Sequence, residues 1–175
     1  MLPEGKSARF EEVLLPHLDA AYNLARWLVR SGTDAEDLVQ EAALRAWKGF
    51  ATFRGGDGRA WLLAIVRNTC YTWLRENRRQ DLAVEFDEHL HSGDDGVPEA
   101  ERLMAESAGR QTLEKALQEL PAQFREVIVL RELEELSYKE ISEIAGVPVG
   151  TVMSRLARAR ERLQLCLAPQ APKEV

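Results

Sequence analysis

The chain has 175 residues, 45% of them hydrophobic, two cysteines and a formal net charge of −6. That is length enough for one medium or two small cores and too apolar for a disordered polypeptide. It holds neither the roughly 18-residue apolar run of a membrane span nor an apolar signal core near Met1, so a cytoplasmic protein without membrane insertion is expected.

Residues 1–80 read as a first domain of three helices. Phe10, Val13, Leu14, Leu18, Ala21, Ala25 and Leu28 recur at helical spacing, with Pro16 kinking the helix or starting it. Ser31-Gly32 ends this run, and Thr33-Asp34-Ala35-Glu36 has the form of a capping box. The next helix carries Leu38, Ala42, Leu44, Trp47 and Phe50 as its apolar residues. A glycine-rich turn, residues 54–58, leads to a third helix from about Arg59 to Arg79. Its apolar side is Trp61, Leu62, Ile65, Val66, Thr69 and Leu74. The remainder mixes Arg67, Asn68, Tyr71, Trp73, Arg75, Arg78 and Arg79. Cations that track phosphates beside aromatic faces that stack bases suit single-stranded DNA. Trp61 is expected in the core instead; Tyr71 and Arg75 are not.

Residues 81–107 read as an acidic, flexible linker. They hold Asp81, Glu85, Asp87, Glu88, Asp94, Asp95, Glu99, Glu101 and Glu106 against Arg102 alone. This stretch is therefore net −8, and the rest of the chain is net +2. The bases concentrate from Arg59 to Arg79 and from Arg155 to Arg162, and local charge sets the field a phosphate feels within a Debye length.

Residues 108–168 read as a second helical domain, followed by a tail, residues 169–175. Leu113, Ala116, Leu117 and Leu120 form one stripe, and Pro121 starts a helix with Phe124, Val127, Ile128 and Leu130. Ser137-Tyr138-Lys139-Glu140 is a capping box that opens a short helix closed by Gly146. A last helix runs from about Val149 to Leu167. The fold class expected is all-α, two small helical domains joined by the linker, the second a helix-turn-helix. Ser142 is small where two helices meet. Gly146 tolerates positive φ in the turn, Pro148 suits the start of the second helix, and Val152 packs back. The second helix then shows Thr151, Ser154, Arg155, Arg158 and Arg162, several of which can share one face suited to the major groove, with arginines for phosphates or guanines.

Taken jointly, these motifs resemble bacterial RNA polymerase sigma factors of the sigma-70 family, extracytoplasmic-function (ECF) group. Asp37-Leu38-Val39-Gln40-Glu41 with Arg45-Ala46-Trp47 resembles the core-binding helix. Phe53-Arg54-Gly55, Trp61-Leu62 and Arg67-Asn68-Thr69 resemble the promoter-melting segment. Leu130-Arg131-Glu132-Leu133, Leu136 to Ile141, Gly150-Thr151-Val152, Ser154-Arg155-Leu156 and Arg158-Ala159-Arg160 resemble region 4. The resemblance implies docking of Asp37, Leu38, Gln40, Glu41 and Trp47 on core RNA polymerase, through its β′ and β subunits. It implies minus-ten binding by Phe53, Arg54, Gly55, Arg67, Asn68, Tyr71 and Arg75, with one base flipped near Phe53, Arg54, Gly55 and Asn68. It implies minus-thirty-five duplex binding by Thr151, Ser154, Arg155 and Arg158, with Arg131 on the backbone. An anti-sigma factor is the further partner implied, and the linker would lie along the nascent RNA path. Met153 departs from the family, which often has Arg or Lys there.

Two other readings use the same residues: a sigma-like mimic that sequesters an anti-sigma factor, and an ordinary helix-turn-helix operator-binding regulator. The retained Arg155, Arg158 and Arg160 argue against the first, and the lack of a dimerisation element or ligand pocket against the second. An enzyme is not expected. His89 and His91 lack a third ligand at metal spacing, Cys70 and Cys166 stand outside any CxxC pair, and no nucleophile or phosphate loop is found. No cofactor and no metal are expected.

Overall fold

Pro16 lacks an amide hydrogen, so the apolar run from Phe10 to Leu28 cannot continue as one helix. In the computed structural model, which describes residues 4–81 and 102–168, it divides into α1 (Glu4–Leu14), a 3-10 turn (Leu15–His17) and α2 (Leu18–Val29). Arg30 ends α2 in the left-handed region at φ 63°, its N–H donating to the Arg26 carbonyl at 2.9 Å. The next helix, α3, spans Gly32–Gly49, and its cap is Ser31, whose Oγ accepts from the Asp34 N–H at 3.3 Å. This corrects the Thr33 capping box: Thr33 already lies inside the first turn, where its backbone is helical and its hydroxyl cannot serve as the cap.

Gly55 and Gly56, at φ +85° and +99°, carry the chain from α3 to α4 (Gly58–Asp81). Asp57 caps α4 through Oδ1, which accepts from the N–H groups of Arg59 at 3.0 Å and Ala60 at 3.3 Å. At Gly58 a Cβ would sit 2.8 Å from Val13 Cγ1, so α1 approaches the start of α4 more closely than any side chain allows. α2, α3 and α4 pack on one another around Leu24, Leu28, Leu38, Ala42, Leu62 and Val66, all buried.

The second half comprises α5 (Arg102–Glu119), α6 (Ala122–Ile128), a π-turn (Val129–Leu133), α7 (Tyr138–Ala145) and α8 (Val149–Leu167). Pro121 precedes the first residue of α6. The Ser137 capping box is formed in both directions: Glu140 N–H to Ser137 Oγ at 3.1 Å, and Ser137 N–H to Glu140 Oε2 at 2.7 Å. Gly146 ends α7 at φ 67°, and the Ser142 hydroxyl ties the turn by donating to the Val147 carbonyl at 2.5 Å. Val152 and Leu156 of α8 are buried against this frame. The π-turn was not expected from the sequence. Two apolar positions are also corrected: Leu44 and Leu113 are 62% and 43% exposed, outside the core to which their spacing assigned them.

Sequence reasoning left the placement of the two halves open. In the structure they touch: α4 packs on α7, and α2 on α6 and the π-turn. Buried apolar residues of both halves join in one continuous cluster. Arg125 braces the junction. Its guanidinium donates to the carbonyls of Gln118 and Leu120 (both 2.9 Å) near the end of α5, and to that of Leu28 (3.1 Å) in the last turn of α2. These are carbonyls left without helical partners, at the negative ends of two helices. Burial, and after it the neighbouring Arg30, lowers the Arg125 pKa to about 10. The Arg30 guanidinium adds a second bond across the junction, to the Gln118 carbonyl.

Candidate nucleic-acid and polymerase interfaces

On α8, burial of Val152, Leu156 and Ala159 turns the intervening positions outward. Ser154 and Arg158 are exposed; Thr151 and Arg155 are half-buried. Ser154 Oγ donates to the Thr151 carbonyl at 3.0 Å. Met153 is 51% exposed on the same helix, an apolar side chain where a cation would serve a phosphate. Arg131 is committed within its own domain: Nη1 donates to the Leu136 carbonyl at 2.8 Å, and the guanidinium lies over the Tyr138 ring at 4.8 Å. Arg162 likewise covers Phe124, at 4.9 Å.

Leading into α4 is an aromatic cleft of about 360 Å³ lined by Phe53, Arg54, Gly55, Trp61 and, from α7, Glu143. Phe53 and Trp61 meet at 4.8 Å between ring centroids, and Phe50 stacks on Phe53 at 5.9 Å. Trp61 packs against the core, as expected. Phe53, Arg54 and Gly55 do converge on one cleft, whereas Asn68 is exposed further along α4 and does not line it. Arg75 is exposed beyond Asn68.

Arg67 and Tyr71 are not free. Glu126 of α6, fully buried, accepts from Arg67 Nε at 2.5 Å through one oxygen and from the Tyr71 hydroxyl at 2.9 Å through the other. The Arg67 guanidinium also lies over the Tyr71 ring at 4.3 Å. Burial dominates here: the Glu126 carboxyl is held above the ordinary carboxylate range by desolvation, which Arg67, Tyr71 and, through space, Arg155 only partly offset. Tyr71 is raised by burial and then by Glu126. The pair partly compensates a desolvation cost that it does not cancel. Cys70, buried beneath, is pushed up to about 12 by burial and the nearby carboxylates, which leaves it an unreactive thiol. A second set lies at the foot of α4, where Glu134 of the segment after the π-turn accepts from Arg59 at 2.8 Å and Asn23 at 2.7 Å.

The α3 face is different. Asp37, Gln40 and Glu41 are exposed, and Glu41 pairs with Arg45 at 2.5 Å. Leu38, only 4% exposed, lies in the core, and Trp47 is half-buried against Phe10 at 5.1 Å with Lys6 over its ring. Leu44 is exposed on the same helix, seven residues after Asp37 and three after Glu41, so it shares their stripe.

Residues 14–80 match the family "Sigma-70 region 2", and residues 110–163 match "Sigma-70, region 4". The chain is similar to the ECF RNA polymerase sigma-E factor of Escherichia coli, 34% identical over 95% of this chain and 90% of that protein. It is similar to ECF RNA polymerase sigma factor SigE of Mycolicibacterium smegmatis, 34% identical over 91% of this chain; there it spans only 62% of the relative's length. Among solved structures it resembles the sigma factor RpoE of Bartonella quintana in complex with the anti-sigma factor NepR, with 32% identity, a TM-score of 0.73, and coverage of 93% of this chain and 99% of that one.

Proposed function

Since the chain belongs to the sigma-70 family of RNA polymerase sigma factors, in the ECF group, we propose that it docks on core RNA polymerase and directs promoter-specific initiation. On this reading α8 takes the minus-thirty-five element as duplex through Thr151, Ser154, Arg155 and Arg158. Arg131 would approach the DNA backbone with the N–H donors that its bond to the Leu136 carbonyl leaves over. The cleft of Phe53, Arg54 and Gly55 takes an unstacked minus-ten base, and Arg67, Asn68, Tyr71 and Arg75 take the strand that follows. The carrying observation is that one chain sets a capped helix-turn-helix with an arginine-bearing outer face beside an arginine–aromatic helix that runs from an aromatic cleft.

Asp37, Gln40 and Glu41 supply an acidic docking stripe for a basic polymerase surface, with Leu44 as its apolar centre. Leu38 and Trp47 then act from behind, by holding the helix. An anti-sigma factor is the partner that would keep the protein inactive; the RpoE of Bartonella quintana was solved with one. No described helix is long and apolar enough to cross a membrane, and the proposed work is cytoplasmic. His89 and His91 lie outside the described residues.

The test is run-off transcription from a pool of bacterial promoters with core polymerase, with and without the protein. Transcripts that depend on it and share two spaced upstream elements are expected. Binding to core without such transcripts, or no binding at all, would overturn the reading. Replacing Asp37, Gln40 and Leu44 together by Ala is expected to abolish the pull-down of core enzyme with the fold intact.

A further inference from the structure

Around α8 the residues outside the core fall into two stripes. Thr151, Arg155 and Arg158, at i, i+4 and i+7, make a polar and basic one. Val149, Met153 and Ala157, at i, i+4 and i+8, make a second, and all three are exposed. Met153 and Arg155, two residues apart, point about 200° apart around the helix. Met153 is 51% exposed and Val149 39%, and neither belongs to the apolar cluster of the core. Ser154 lies between the stripes with its hydroxyl given to the Thr151 carbonyl at 3.0 Å, which leaves its oxygen as an acceptor. Arg160 follows on the side of Met153, about two turns beyond it, and there it is bound to Glu132 at 2.8 Å. The outer surface at the start of α8 is thus uncharged along one side and basic along the other.

We infer that Met153, backed by Val149, reads a thymine methyl in the minus-thirty-five duplex, so that the element this protein selects carries a T·A pair beneath Met153. The inference rests on the assignment of α8 to that duplex. A thioether and an isopropyl group offer no N–H to the N7 and O6 acceptors of guanine, and covering those acceptors without a partner costs free energy. Nor can they neutralise a phosphate. The apolar feature of the major groove is the C5-methyl group of thymine. Met153 is unbranched and polarizable, and it moulds itself to such a group. Val149 stands one turn earlier, about 6 Å along the helix axis, which leaves room for one methyl between the two side chains. Both lie in the N-terminal part of the helix, the part that meets base edges when a helix of this motif enters the groove. The basic stripe supplies the attraction to the duplex; the apolar stripe adds discrimination by burying one methyl.

The experiment uses holoenzyme assembled from core RNA polymerase and the full-length chain. Selection from promoter duplexes with a randomised upstream segment gives the element, and thymine is expected at one fixed position in it. Replacing that thymine by deoxyuridine removes the methyl group and nothing else. It is expected to weaken wild-type binding about three- to fivefold. Met153→Ala, at an exposed position, is expected to bind the thymine duplex about three- to fivefold more weakly and to lose nothing further with deoxyuridine. Met153→Leu is expected to keep the sensitivity to the methyl. Met153→Arg is expected to lose the thymine preference and to steepen the fall of log affinity with log salt by about one. An element without a fixed thymine, or an equal deoxyuridine loss in wild type and Met153→Ala, overturns the inference and leaves α8 as the duplex reader. Holoenzyme that forms but selects no upstream element overturns that earlier assignment, and the inference with it.

Discussion

The two helices assigned to DNA, α4 and α8, carry similar residues in opposite situations. Arg67 on α4 is 18% exposed and bound to a fully buried carboxylate. Arg158 on α8 is exposed, with no side-chain hydrogen bond or ion pair among the described residues. An arginine at a binding face is thus structural on one helix and uncommitted on the other. What separates them is the element packed opposite: Glu126 of α6 holds Arg67 of α4, while Arg158 on the outer face of α8 meets no side-chain partner among the described residues. Basic sequence clusters therefore do not by themselves measure how much positive charge a folded protein offers.

The largest effect should come from deleting the committed arginine. Arg67→Ala leaves Glu126 buried without its cation and is expected to cost about 3 kcal/mol, whereas Arg158→Ala stays within about 0.5 kcal/mol; urea denaturation of both measures the contrast. Equal losses would erase the distinction between the helices. Next, Tyr71→Phe removes the donor to the second Glu126 oxygen and is expected to cost about 1–2 kcal/mol by the same measurement. A neutral result would mean that water replaces the hydroxyl.

The third prediction concerns pH. Burial raises the Glu126 carboxyl above its ordinary 4.5, so the folded chain holds this proton to higher pH than the unfolded chain. Between those two values the folded state binds more protons, and stability falls as pH rises. The groups facing it are Arg67 and Tyr71 from α4 and Arg155 from α8. Glu126→Gln removes the contribution, so its stability should fall less steeply than wild type as pH rises from 4.5. Parallel denaturation curves across that range would show the carboxylate to be fully compensated. The smallest effect belongs to the turn that leads from the π-turn to α7. Glu135 is an exposed non-glycine residue at φ 54°, and Glu135→Gly should stabilise by about 1 kcal/mol, read as a rise in thermal midpoint.

Much of the fold was legible because local chemistry specifies it. The Ser137–Glu140 box, Gly146 and the start of α8 at Val149 follow from side chains acting on backbone a few residues away, and no distant contact competes. Errors arose where two local options were equal. Ser31 and Thr33 are both good caps, and the first helical amide in need selects Ser31. Leu44 matches both an apolar stripe and an acidic one, and only packing decides that it faces out.

The sequence by itself determined most of the helices, the Ser137–Glu140 cap, the helix-turn-helix, the acidic stripe of α3 and the resemblance to sigma factors, since each rests on spacing within one segment. Only the tertiary structure decided that the two halves touch, that Arg125 braces two helix ends, and that Arg67 and Tyr71 are held by Glu126. The pairings of Arg67 and Tyr71 with Glu126 join residues more than fifty positions apart in the chain. No periodicity encodes them; they exist because burying apolar faces of both halves together brings a carboxylate, a guanidinium and a phenol to the same place.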